Sequence, residues 1–247
     1  MSGTEKPENK KITLLPMMSD EQAAAIAKET LKNLVLEERV PEIGESVSGQ
    51  GIFLGQYSPK DQNGKSLGKI FNVFAAPEDL SVKESKSGFF KKRETVTRVF
   101  TFNDAAKLVA ELKDWHGHDG ASFENSAVLT KALKDGSYKG EWVIPPREIL
   151  SGKDVDGNDA QQNHLYKHQN KGAFKGTFKT AASSGSDCPD WYCSSTEDCD
   201  HSSEVHGVLF SDGYESWLFK DDIRLSCRPV RLVAASSAPA PDVPLAC

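Results

Sequence analysis

The side chains most able to do chemistry crowd into the last quarter of the chain. Cys188, Cys193 and Cys199 lie close together, and His201 and His206 follow. Thiolate and imidazole are the usual ligands of structural zinc. The spacing is C-x4-C-x5-C-x27-C, with no C-x2-C knuckle to seat an ion in one tight turn, so free thiols in a loop are expected. Cys247 makes the count five, which also argues against a fully paired disulfide framework. His116 and His118 could share one side of an extended segment, but no third ligand stands at a matching spacing. "DVDGND" (154–159) has the start of a calcium loop. The sixth and twelfth positions are Asp159 and Leu165 where an EF-hand needs Gly and Glu, so a solvated loop is expected. Asp187, Asp190, Glu197, Asp198 and Asp200 read as a hydrated acidic loop rather than an acid/base pair. There is no G-x-S-x-G elbow, P-loop or H-E-x-x-H. No catalytic residue, metal or cofactor is assigned, and a non-enzyme is expected.

The elements that must position these residues fall in a mixed order. Residues 1–18 read as a polar, flexible tail. "SDEQAAAIAKETLKNLVLEERV" predicts a helix within 19–42, with Ser19 and Gln22 at capping-box spacing and Pro41 ending it. Its thin stripe (Ala23, Ile26, Thr30, Leu34) suits packing on the domain edge, with self-association as the alternative. The runs 49–58 and 68–80 predict a hairpin, and 94–100 a further strand. "NDAAKLVAELKDW" (103–115), with Asn103 as cap, and "SAVLTKALKDG" (126–136), closed by Gly136, predict two helices. Short strands are expected at 140–145, 191–196, 204–210, 214–219 and 224–233. The Ala/Pro/Ser-rich tail 234–247 is expected to be disordered.

With 38% hydrophobic and 27% charged residues, the composition suits a substantial core. The net charge of −6 disfavours nucleic acid and anionic membrane as partners. No apolar run reaches the length of a membrane span, and no apolar h-region of signal-peptide length is present. A cytoplasmic or virion-associated protein is therefore expected over a Sec-exported one.

The stretches "TFNDAAKLVAEL", "GEWVIPPREIL", "WYCSSTE", "VLFSDGYESW" and "RLSCRPVRLV", taken in order, resemble C-type-lectin-like domains related to the formylglycine-generating-enzyme fold. Within that group they are most similar to the variable proteins of diversity-generating retroelements and to the C-terminal domain of a bacterial collagen-like adhesin. Trp142, Ile144, Pro145, the run Ser194–Glu197 and the run Arg228–Arg231 carry the resemblance. Pro146 and the Gly-rich insert at 151–187 depart from the pattern. The resemblance implies one α+β domain over 43–233, short strands presenting irregular loops, and binding of a protein or surface ligand. An invariant adhesin-like or carbohydrate-binding domain is the alternative, and an oxidase-like enzyme of the related fold a more remote one.

In such variable proteins a reverse transcriptase errs at template adenines. An AAC codon altered only at its adenines cannot become Trp, Lys, Glu, Gln or Met. Within 192–223, Glu197, Glu204, Glu215, Trp217 and Lys220 are thus assigned to scaffold. Tyr192, His201, His206, Tyr214, Ser216, Leu218, Phe219 and Ile223 are the candidate binding residues. Alternation along "YESWL" should turn 214, 216 and 218 to one side and 215 and 217 to the other.

Overall fold

A computed structural model describes residues 39–61, 64–87, 92–181 and 187–235. The tail 1–18, nearly all of the segment 19–42, and the tail beyond residue 235 lie outside the described residues. The described residues from Pro41 to Ala235 belong to one compact unit.

The unit is α+β. Three segments near its start and one near its end form the first sheet. β1 (Ser46–Val47), β2 (Gly51–Tyr57), β3 (Phe71–Ala75) and β10 (Val230–Ala234) stand in that order, each pair antiparallel. β2 and β3 are the expected hairpin. β4 (Val82–Ser87) and β5 (Lys92–Thr97) make a separate two-stranded ribbon. The second sheet has the order β8-β7-β6-β9, where β6 is Asp187–Glu197, β7 Glu204–Leu209, β8 Glu215–Phe219 and β9 Arg224–Ser226. β6 runs antiparallel to β7 and parallel to β9. The strand expected over 224–233 is instead broken at Cys227–Pro229 into β9 and β10, which join different sheets, and its end moves to Ala234, which pairs with Phe71.

Between the sheets come the helices. α1 (Phe102–Ala110) starts one residue before the expected cap, because Thr101 Oγ1, not Asn103, accepts the N–H of Asp104 at 3.2 Å. It stops well short of Trp115. Beyond its end the chain turns at Asp114 and His116, which both adopt positive φ. α2 (Ser126–Asp135) is capped by Asn125 and closed by Gly136 at φ 80°, a left-handed position that favours glycine. α3 (Arg147–Leu150) and α4 (Leu165–His168) are single turns.

Two apolar clusters fill the unit. The first joins β2, β3 and β10 to α2, α3, α4, Tyr192, Val208 and Phe210. The second lies against the other side of the second sheet and joins Phe100, Phe102, Ala105 and Val109 to Cys193, Val205, Leu225 and Cys227. β6 and β7 are therefore covered on both faces.

Buried arginines tie the last strand to the rest. Arg228, fully buried, donates from Nε to Asp79 (2.7 Å) and from its Nη atoms to the carbonyls of Ala76 (2.9 Å) and Thr177 (2.7 Å). Its guanidinium lies 4.2 Å from the centre of the Phe178 ring. Arg231 donates to the Gly140 carbonyl and pairs with Gln50.

Candidate functional site

The candidate residues sit on the second sheet, and the register decides which way each one faces. Paired residues in an antiparallel ladder share a face. Trp217 lies opposite His206, and Glu215 opposite Val208, so these four share the face toward the first cluster. Leu218 lies opposite Val205 and Ser216 opposite Gly207, on the face toward the second cluster. The sequence alternation along β8 is thus reproduced by the strand.

On the first face a polar anchor holds the edge strand. Glu215 Oε2 accepts from Arg147 Nη2 at 2.7 Å and lies 2.9 Å from His206 Nε2. Trp217 stands edge-on to the His206 ring at 5.4 Å, with the Arg147 guanidinium 5.7 Å from its centre. Burial opposes the charge on Glu215, but the close His206 ring and the bonds from Arg147 outweigh it and hold the carboxyl down at about 2. Burial pushes the His206 ring below its ordinary pKa, so the neutral imidazole is favoured.

A second anchor ties β6 to both β8 and α2. Glu197 pairs with Lys220 and accepts from Asn125 Nδ2 at 2.8 Å, while Asn125 also caps α2. The "SST" stretch meets the "IPP" stretch here. Ser195 N–H donates to the Pro145 carbonyl at 2.8 Å, and Arg147 N–H to Thr196 Oγ1 at 2.9 Å.

The candidates do not form one surface. Tyr214 is 61% exposed and meets the Trp191 ring edge-on at 5.9 Å. Leu218 is half-buried and lies over Gly207, where an added Cβ would come 2.5 Å from Leu218 Cδ1 and 3.3 Å from Trp191 Cε3. Ser216 is half-buried, and Ile223 packs partly buried against the second cluster. Tyr214, Ser216 and Leu218, with Trp191, make a half-open patch around Gly207. Phe219 is 51% exposed, but its place in the ladder opposite Glu204 puts it on the other face. His201 is exposed in the β6–β7 turn, 3.8 Å from Asp198.

Two candidates are corrected. Tyr192 is fully buried, with its hydroxyl donating to Asp79 Oδ2 at 2.9 Å and accepting from Lys179 N–H at 2.8 Å. Its ring packs 4.3 Å from that of Phe210. His206 is likewise buried against Trp217 and Glu215. Both belong to central strands with a core on each side, so neither can meet a partner.

Trp191 was missed. It neighbours Tyr192, and once Tyr192 is placed inward, strand alternation sends Trp191 to the opposite face. It stands one residue before 192–223, outside the stretch to which the adenine rule was applied. Gly207, which lets Leu218 and Trp191 close together, carried no signal separable from an ordinary strand glycine.

The cysteines divide by depth. Cys193 and Cys227 are buried with their thiols in mutual contact, and that contact and burial push the Cys227 thiol well up, away from the reactive thiolate. Cys188 is partly buried and Cys199 exposed. Among the described residues, Asp198, Cys199 and Asp200 bring three donor atoms within 4.8 Å of one another. Asp198 Oδ1 already accepts from the N–H groups of Asp200 and His201, which accounts for the cluster as a closed turn.

No protein-family model matches the chain, and no curated protein is found to be similar to it. No helix among the described residues is long and apolar enough to cross a membrane.

Proposed function

We propose that this chain is a protein-binding module, and more narrowly a variable protein of a diversity-generating retroelement built on a C-type-lectin-like scaffold. The carrying observation is the division of labour along β8. Glu215, Trp217, Glu197 and Lys220, which the adenine rule assigns to scaffold, make the ion pairs and ring contacts that fix the sheet. Tyr214, Ser216 and Leu218, which the rule leaves free to vary, line the half-open patch with Trp191. Exposed aromatic and aliphatic groups on a rigid strand lose little side-chain freedom on binding, which favours them as anchors. The meeting of the "IPP" and "SST" stretches further supports the resemblance.

The DNA around the coding sequence tests the narrower claim. It should hold a reverse transcriptase frame and an imperfect repeat of the codons for 190–231. Differences should fall at repeat adenines for 201, 214, 216, 218, 219 and 223. Codons for the buried Tyr192 and His206 should match. Absence of the repeat overturns the retroelement assignment. The broader claim is tested by the double change Tyr214→Ser with Leu218→Ser, which should abolish partner binding and lower the melting temperature by only a few degrees. Global unfolding of that variant would make these residues core.

A further inference from the structure

Charge is distributed unevenly in this molecule. Residues 187–224 hold ten carboxylates against two basic side chains, whereas the whole chain carries a net −6. The second sheet and its turns thus hold more negative charge than the entire protein, and the remainder is slightly basic. Part of that charge is neutralised within the fold, through the pairs Glu215–Arg147, Glu197–Lys220 and Asp187–Arg224. Three more lie in the turns that flank β8. Asp212 sits in the β7–β8 turn and accepts the N–H of Tyr214 at 2.9 Å. Asp221 and Asp222 stand exposed just after β8. Among the described residues, no lysine or arginine pairs with these three.

We infer that the patch of Trp191, Tyr214 and Leu218 takes a basic protein partner, one that presents an apolar side chain to the patch and lysines or arginines to the acidic turns that flank β8. This rests on the protein-binding reading proposed above and adds the chemistry of the partner. Turn charges of one sign steer an oppositely charged partner into register and raise its association rate, while the apolar centre limits dissociation. They also select against other occupants. A second copy docking through the same patch would bring like charges together, and an anionic lipid surface or nucleic acid would be repelled.

The test uses the full chain as bait for a random twelve-residue peptide library displayed on phage, selected at about 50 mM salt, where the turns are weakly screened. Each selected peptide is synthesised and titrated against three proteins: the unaltered chain, the patch variant Tyr214→Ser with Leu218→Ser, and the turn variant Asp212→Asn, Asp221→Asn and Asp222→Asn. Melting curves establish that both variants fold. Asn can still accept the N–H of Tyr214, so the turn variant changes charge with little change of shape. Supporting peptides carry net positive charge and an aromatic or aliphatic residue, and fail to bind the patch variant. They also weaken about tenfold or more both on the turn variant and at roughly 300 mM salt. Peptides that need the patch but are neutral or acidic, or ignore salt and the turn change, overturn the basic-partner inference and leave the binding reading standing. Peptides that bind the patch variant as well as the unaltered chain overturn both.

Discussion

Replacing Glu215 by Gln removes one negative charge while keeping nearly the same shape, and its effect can be worked from the anchor on β8. The carboxyl is held at about 2 by His206 and Arg147. Against an ordinary value near 4.5, that shift corresponds to about 3 kcal/mol of stability. The Glu215 side chain is 21% exposed, so solvent screening trims the contribution to roughly 1–2 kcal/mol. A folded-state pKa below the unfolded one means that the unfolded chain binds more protons. The contribution is therefore complete above about pH 5 and is lost as pH falls through 4.5 toward 2. His206 acts in the same direction. Its folded pKa is lowered, so stability declines as pH drops below the unfolded value near 6.5. Glu215→Gln should lower the melting temperature at pH 7 by roughly 3–8 °C. It should also flatten the acid limb below pH 4.5 while leaving the decline near pH 6 in place. Urea titrations from pH 2.5 to 8 measure both. A variant within about 0.3 kcal/mol of the unaltered protein at pH 7, with the same acid limb, would refute the anchoring role.

Other expectations follow from the packing. Arg228→Met should cost about 3–5 kcal/mol, because it strands the buried Asp79 carboxyl and two carbonyls. Burial already raises the Asp79 pKa, and loss of Arg228 raises it further, so this variant should lose stability as pH rises above about 4, as melts at pH 5 and pH 8 can show. Gly207→Ala should displace the flexible end of Leu218 and change stability by about 1 kcal/mol or less while weakening any binding at the patch, measured by melting and titration together. Gly120→Ala should do far more harm, since its Cβ would lie 1.8 Å from the backbone carbonyl oxygen of Val109, and loss of soluble folded protein is the expected readout.

The α+β class and the β2–β3 hairpin were legible because turn residues bound their apolar runs, and α2 because Asn125 and Gly136 mark its ends. Alternation along β8 was legible because the strand is unbroken and keeps an even register against β7. The inward placement of Tyr192 and His206 was not. Their strands carry a core on each face, so alternation there separates one interior from another rather than interior from solvent. A shift of register between Cys193 and Glu197 breaks the period further. The Asp79–Arg228 pair joins residues 149 apart, and no local pattern announces a partner at that distance.

The first sheet places β10 beside β3, so the last described strand is laid against one of the earliest. During synthesis, β3 must wait with one edge open until Val230–Ala234 has emerged, and the whole of 192–223 is made in that interval. Such long-range closure slows folding and leaves a strand edge open to misassociation. It also makes the closing strand an inspector of what precedes it. Any change within 192–223 that misplaces Tyr192 disturbs Asp79, which Arg228 must find to seat β10.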